Sequence, residues 1–132
     1  MERLTERLAV ASRALERLRR ITELPQIGEI ERDAVIQRFE FAFEAVWKAA
    51  QFHLLKVEGL DVASPKAAIR ACREVGLLDE QEAMQALRMA DDRNLTVHTY
   101  NEQLAEQILE RIMGYQVLLD HWLTAMKNIQ IT

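Results

Sequence analysis

The chain has 132 residues, of which 49% are hydrophobic and 29% charged, and its formal net charge is −4. This length predicts one domain, residues 1–132, with enough apolar side chains to bury a core without disulfides. Only 4 glycines and 2 prolines are available for tight turns, which argues against an all-β fold. The lone Cys72 excludes an internal disulfide, and no segment is typical of a signal peptide or a membrane span. We therefore expect a cytoplasmic protein.

Apolar residues recur at spacings of three and four from Leu4 to Ile21, which predicts an amphipathic first helix. Pro25 and Gly28 end it. Six arginines lie within the first twenty residues, against three glutamates. They are compatible with a basic face for RNA or for an acidic partner. The simpler interpretation is a solvated helix face with Glu–Arg pairs.

The second helix is predicted from about Glu29 to Val57, a length of about 40 Å, with Gly59 ending it. The last helix, from about Tyr100 to Lys127, is long enough to cover it. The residues expected to face inward on the second helix are Ile30, Val35, Phe39, Ala42, Phe43, Val46, Ala50, Leu54 and Val57. Those on the last helix are Leu104, Ile108, Ile112, Tyr115, Leu119, Trp122 and Met126, beside a second row of Ala105, Leu109 and Met113. A stripe that wide suggests a further contact, such as a homodimer.

Two shorter helices lie between the long ones. Ser64-Pro65 provides an N-cap and an N1 proline for a helix that continues to about Glu74. Asp79 with Glu82 forms a capping-box-like start for another helix, which ends near Asp91. The predicted fold is therefore all-α, an antiparallel up-and-down bundle of four main helices plus a short extra helix.

Residues 93–100, RNLTVHTY, form the one candidate chemical site. Polar and β-branched residues predict that the fourth helix frays here, and Thr99 with Glu102 predicts a capping box for the last helix. His98 would precede that cap, where the helix dipole favours a bound phosphate and a neutral imidazole. Arg93 offers a permanent charge to phosphate oxygens. On a continuous helix the two residues would point about 140° apart, so they converge only through a turn or a second subunit.

An arginine–histidine pair of this kind suits metal-free RNA cleavage, in which the base deprotonates the 2′-hydroxyl and the arginine neutralises the phosphorane. The simpler interpretation is a capping loop with two surface side chains. In a chain with this many arginines, Arg and His at such spacing are expected about 0.9 times by chance. Adding His-x-Tyr lowers the expectation to about 0.004, so only the motif that includes Tyr100 is informative.

The other titratable residues are weaker candidates. Asp91 and Asp92 could be proposed as metal ligands, but a solvated helix end is the simpler interpretation, and Arg93 beside them opposes a cation. His53 and His121 have no cysteine or carboxylate at ligand spacing. We expect no metal and no cofactor.

Three segments resemble one known family. Residues 37–48, QRFEFAFEAVWK, are similar to the second-helix signature of the nucleotidyltransferase substrate-binding protein family, within the HEPN domain group. Ser64-Pro65-Lys66 with Ile69-Arg70 resembles its third helix. Residues 92–100, DRNLTVHTY, resemble its most characteristic segment. The similarity runs in order over nearly the whole chain.

This resemblance implies a HEPN-like bundle that dimerises, so that the Arg-x4-His motifs of two subunits meet at a shared cleft. It implies a separate partner, a minimal nucleotidyltransferase. Some members, called HepT, are toxins that cleave RNA, and the partner MntA silences them by adding AMP to the motif tyrosine. Matched by residue, the resemblance gives Arg93 and His98 the catalytic roles, Asn94 the polar supporting position and Tyr100 the modified position.

The older family name implies a different function, a non-catalytic subunit that presents a substrate to the transferase. The chain lacks the Gly-Ser…Asp-x-Asp pattern of a nucleotidyltransferase, so any transferase chemistry is expected in the partner. A purely structural dimer with a decayed site is a third possibility.

Overall fold

The computed structural model describes residues 2–131 and the side chains of residues 3–129. Its α-helices are α1 (Glu2–Thr22), α2 (Glu29–His53), α3 (Pro65–Glu74), α4 (Glu80–Leu95) and α5 (Glu102–Ile131). A π-helical turn, Leu54–Glu58, extends α2, and a 3₁₀ turn, Thr96–His98, follows α4. The predicted all-α bundle of four main helices plus a short one is confirmed. None of the described helices combines the length and apolar character needed to cross a bilayer.

The core lies between α1, α2 and α5, which all contact one another, while α4 packs against α5 and α3. The predicted stripe of α1 is buried from Leu4 to Leu18, and Ile21 is partly buried. Trp122 of α5 is fully buried, and its indole nitrogen donates to the Cys72 sulfur at 3.4 Å. Burial raises the pKa of the Cys72 thiol to about 11, so this cysteine is a core residue, as predicted.

The inward face of α2 was predicted correctly except at its two ends. Ile30 is exposed because Arg32 occupies the inward position of the first turn, and residues two apart on a helix point about 200° apart. Val57 is exposed because the π-helical turn changes the angular step between residues and rotates it off the stripe. Gly59 ends this turn with φ 70°, a left-handed conformation that favours glycine.

Most of the wide apolar stripe of α5 is covered within the chain, because α1, α2 and α4 all contact this helix. Ala105 is buried and Leu109 partly buried, whereas Met113 is exposed. The width of the stripe therefore gives no support for a homodimer. The residues that bear on a dimer are those of the candidate site.

The two short helices begin as predicted. The Ser64 hydroxyl accepts a hydrogen bond from the Ala67 N–H at 3.2 Å. Asp79 and Glu82 form the reciprocal pair of a capping box, at 2.8 and 2.9 Å. Each cap satisfies backbone N–H groups that the helix itself leaves without partners.

Burial of His53, at the end of α2, makes the stability of the fold depend on pH. Its side chain is 1% exposed, and burial lowers the pKa of its imidazole, against a smaller opposite effect of Glu58. The folded protein therefore keeps His53 neutral at pH values where the unfolded chain, with a pKa of about 6.5, already binds a proton. The stabilisation is present above about pH 6.5 and is lost as the pH falls below it.

We expect the urea midpoint of unfolding to decrease between pH values of about 7.5 and 5.5, and His53→Leu to flatten this dependence. His121→Leu is the control, because His121 is exposed. An unchanged slope in His53→Leu would contradict this assignment.

Candidate functional site

The site is built on a carboxylate that was expected to be solvated. Asp92, on the last turns of α4, is 6% exposed. Its Oδ2 accepts a hydrogen bond of 2.6 Å from the Tyr115 hydroxyl, and its Oδ1 accepts one of 2.7 Å from Arg111 Nη1. Arg111 and Tyr115 are one turn apart on α5 and thus share a face. The prediction of a solvated end is wrong for Asp92, whereas Asp91 is exposed and pairs with Lys66.

We call the hydrogen bonds of Asp92 with Tyr115 and Arg111 the Asp92 anchor. This anchor explains why α4 continues past Asp91, where its end was predicted. The polar residues of this segment disfavour a helix by competing for backbone hydrogen bonds. The Asp92 carboxylate is already bound by two side chains of α5, so it does not compete, and α4 continues to Leu95. Burial, together with the neighbouring carboxylate, raises the pKa of the Tyr115 hydroxyl and keeps it a donor.

Arg93 lies one residue further on and points to α2. Its Nη1 is 3.2 Å from Glu40 Oε2, and its Nε is 3.7 Å from Glu44 Oε1. Nη1 also donates to the Thr96 hydroxyl at 3.2 Å. Trp47 Nε1 donates to Glu44 Oε2 at 3.1 Å and so fixes that carboxylate. The guanidinium is thus held at Nη1 by the Glu40 carboxylate and the Thr96 hydroxyl, while the Glu44 carboxylate lies near Nε without a hydrogen bond to it.

One terminal nitrogen of Arg93 remains available. Among the described residues Nη2 has no hydrogen-bond partner and is not buried, whereas Nε is buried and also lacks a hydrogen-bond partner. A guanidinium held at Nη1 can present Nη2 to an anion without losing its existing contacts. The arrangement therefore pre-orients one donor toward solvent.

His98, the last residue of the 3₁₀ turn, forms an exposed pair with Tyr100. His98 Nδ1 is 3.3 Å from the Tyr100 hydroxyl, and the two rings meet edge to face with centroids 5.8 Å apart. Tyr100 is 82% exposed. Because Nδ1 is engaged by the tyrosine, Nε2 is the ring nitrogen left to a ligand.

The start of α5 differs from the predicted capping box. Asn101 caps the helix by accepting from the Leu104 N–H at 3.2 Å. The Thr99 hydroxyl donates instead to the Thr96 carbonyl at 2.9 Å. Glu102 binds Arg32 of α2 at 2.9 Å, because this buried guanidinium needs a carboxylate partner. His98 therefore lies three residues before the actual cap.

Arg32 joins the start of α5 to α2 and was missed from the sequence. It is 4% exposed and binds Glu106 as well as Glu102, both at 2.9 Å, and these hydrogen bonds raise its pKa. The segment carrying His98 and Tyr100 is thus fixed at one end by Asp92 and at the other by Arg32. Glu40 and Glu44 were also missed, although both lie within the resembling segment 37–48. No spacing rule links them to Arg93, which is far along the chain.

A groove of about 580 Å³ lies beside Tyr100 and is bordered by α2. Asp33 and Glu40 contribute carboxylates to it, and Thr99 and Tyr100 form its other wall. Among the described residues, no group of three histidine, cysteine or acidic side chains is arranged to hold a metal ion. This groove is thus polar and acidic.

Of the four predicted site residues, the structure joins only two within one chain. His98 contacts Tyr100, but in the described part of the chain no hydrogen bond or ring contact links either of them to Arg93. Asn94 is exposed. From the sequence, Arg93 and His98 were expected to converge only through a backbone turn or a second subunit; in the structure Arg93 is helical and points toward α2.

Removing the hydroxyl of Tyr115 tests the Asp92 anchor. Tyr115→Phe leaves a buried carboxylate with one donor fewer, which we expect to lower the free energy of unfolding by about 1–3 kcal/mol. Urea unfolding monitored by circular dichroism measures this. Tyr100→Phe removes the same atom from an exposed tyrosine, and we expect a change within about 0.5 kcal/mol. Equal losses in the two variants would contradict the anchor.

Several proteins of known structure share this fold. A protein of known structure from Thermus thermophilus is 52% identical, with a TM-score of 0.85, over 88% of this chain and 98% of that one. A toxin–antitoxin MntA–HepT mutant is 14% identical, with a TM-score of 0.80, over 97% of this chain and 99% of that one. The tri-AMPylated HEPN toxin of Shewanella oneidensis, in complex with its MNT antitoxin, is 16% identical, with a TM-score of 0.76, over 95% of this chain and 96% of that one.

The last two similarities show the fold alone, because their sequence identities are low. None of the curated proteins matches the sequence. The match that decides the family covers residues 6–128 and thus nearly the whole chain. This chain belongs to the family described as nucleotidyltransferase substrate binding protein like.

Proposed function

We propose that this protein is the HEPN-type partner of a minimal nucleotidyltransferase and acts as a metal-independent RNA-cleaving toxin of a toxin–antitoxin pair. The observation that carries the proposal is the exposed His98–Tyr100 pair, which follows within seven residues an arginine whose Nη2 has no hydrogen-bond partner among the described residues. Membership of the family supports the nucleotidyltransferase partner. The fold shared with two toxin–antitoxin complexes supports the toxin function.

In the proposed reaction His98 Nε2 removes the proton of a ribose 2′-hydroxyl, and the resulting oxygen attacks the adjacent phosphorus. The bond from phosphorus to the 5′-oxygen breaks, and that oxygen takes a proton from water or from the protonated imidazole. Arg93 Nη2 donates to a phosphate oxygen and stabilises the charge that builds up in the phosphorane. Asn94 is exposed beside Arg93 and supplies a further polar contact.

A homodimer would complete this site. Arg93 lies against α2 and His98 is the last residue of the 3₁₀ turn, and among the described residues no contact links the two side chains. A two-fold axis near this segment would place Arg93 of one copy opposite His98 of the other. Exposed Val97 lies between them in sequence and would become buried in such a contact.

Cleavage is tested with purified protein and single-stranded RNA in the presence of EDTA. We expect the wild type to cleave and His98→Ala to lose at least about a hundredfold in rate, which is the usual contribution of a general base. His121→Ala removes an exposed histidine elsewhere and should retain full activity. Persistent cleavage by His98→Ala would overturn the assignment of the base.

Modification of Tyr100 would explain how the partner silences this activity. The tyrosine oxygen attacks the α-phosphorus of ATP, a new P–O bond forms, pyrophosphate leaves, and the hydroxyl proton passes to a base. The oxygen that would carry the AMP group lies 3.3 Å from His98 Nδ1. The modification would therefore bring a negative charge close to the position that the phosphate of the RNA would occupy.

After co-expression with the nucleotidyltransferase, we expect the intact mass of the protein to increase by one or more AMP units. Peptide mapping should place the first unit on Tyr100, and Tyr100→Phe should abolish it. Tyr115 is buried and should stay unmodified. A modified protein in which Tyr100 carries no AMP would exclude this mode of regulation.

One observation favours the alternative, a non-catalytic subunit that presents a substrate to the transferase. The charge of Arg93 is offset by Glu40 and Glu44, and Asp33 adds a carboxylate to the groove beside Tyr100, so this groove is less attractive to RNA. Absence of RNA cleavage, together with nucleotidyl transfer that changes when this chain is added to the partner, would support this alternative.

A further inference from the structure

A second groove runs between α1 and α2, outside the site just described. Two adjoining depressions of about 420 and 210 Å³ share Val10 of α1 and Phe41 of α2, so they form one surface. We call it the α1–α2 groove. The residues of α1 that line it include Arg7, Val10, Arg13 and Arg17. This spacing places all four on one face of the helix.

The walls of the α1–α2 groove are basic. Among the residues whose side chains are described, five cations and one carboxylate line it, although the whole chain has a net charge of −4. The cations are Arg7, Arg13, Arg17, Arg38 and Lys48. In the part of the chain whose side chains are described, none of the five forms an ion pair.

Other arginines of α1 behave differently. Arg19 and Arg20 both pair with Glu16, as expected for a solvated face with Glu–Arg pairs. Arg19 also binds Asp120 of α5. Among the described side chains of α1, the predicted Glu–Arg pairs therefore occur near its C-terminal end, and the groove contains arginines that form no such pairs.

The floor of the groove is apolar and includes an exposed aromatic ring. Phe41 is 56% exposed and has the exposed Val10 beside it. An exposed aromatic ring between cations is typical of surfaces that bind single-stranded nucleic acid, because bases stack on the ring while arginines contact the phosphates. From Arg7 to Arg17 the groove is about 15 Å long, which accommodates roughly four stacked nucleotides.

The groove also adjoins the candidate site. Glu44, its one carboxylate, is the residue 3.7 Å from Arg93 Nε. The groove beside Tyr100, in contrast, carries Asp33 and Glu40 and repels a polyanion. A strand that approaches Arg93 is therefore attracted along α1 and α2.

We propose that the α1–α2 groove binds the backbone of single-stranded RNA, stacks a base on Phe41 and leads the strand to Arg93. This inference rests on the RNA cleavage proposed above. A second copy of the chain fits the surface poorly, because a two-fold axis through the groove would place its cations against the same cations of the other copy. The cationic walls of the groove therefore favour a polyanion over a second copy of the chain.

The test measures binding, so that it stays separate from cleavage. A fluorescein-labelled RNA of about 12 nucleotides is titrated with His98→Ala protein, and its anisotropy is followed at several salt concentrations. In this background Arg13→Gln with Arg17→Gln should weaken binding about tenfold at low salt. The slope of log Kd against log salt should decrease by about 1.4, as expected for two lost phosphate contacts on a single strand.

The matched control is Arg70→Gln with Arg73→Gln, which removes the same charge from exposed positions on α3. We expect less than a twofold change for it. Phe41→Ala should weaken binding without changing the salt slope, whereas Met84→Ala, at a similarly exposed position, should not weaken it.

Three results would overturn the proposal. Equal losses in the two double variants would mean that overall charge, and not the groove, attracts RNA. Tighter binding of a polyglutamate peptide than of RNA would identify an acidic protein as the ligand. A change in oligomeric state of Phe41→Ala, measured by sedimentation, would assign the surface to contacts between copies. If RNA binds the groove but the wild type does not cleave it, the proposed cleavage alone fails.

Discussion

The contact between Asp92 and Tyr115 is the constraint on which the site depends. The phenol ring of Tyr115 stacks on Phe39 of α2 at 5.8 Å, while its hydroxyl binds the carboxylate on α4, so one side chain of α5 holds three helices together. Neighbouring residues on a helix point about 100° apart. With Asp92 fixed toward α5, Arg93 is turned toward α2, where Glu40 and Glu44 receive it.

The fold followed from the sequence because the apolar pattern is long and regular. The stripes of α1, α2 and α5 each extend over several turns, and the N-caps at Ser64 and Asp79 are local signals that tertiary contacts did not override. Two of the errors have the same cause. Arg32 occupies the inward position that was predicted for Ile30, and it binds Glu102, which was expected to complete a capping box seventy residues away.

The candidate site was predictable as a segment but not as an arrangement. The spacing of Arg93, His98 and Tyr100 is visible in the sequence, and the pairing of the last two follows from their closeness in the chain. The carboxylates around Arg93 lie about fifty residues earlier on α2, and only the three-dimensional contacts of the Arg93 side chain reveal them. The sequence likewise does not show which arginines of α1 form ion pairs. That depends on the helix that each of them faces, as Arg19 faces Asp120 of α5 and Arg17 faces the groove with α2.

The position of Glu44 has a consequence for how two ligands would affect each other. Its carboxylate touches Arg93 on one side, borders the cationic surface of α1 and α2 on the other, and accepts a hydrogen bond from Trp47. Any ligand that changes the attraction between Glu44 and Arg93 changes the affinity of the arginine for anions. Linkage requires the reverse effect to be equally large, so the two surfaces are thermodynamically coupled through a single carboxylate.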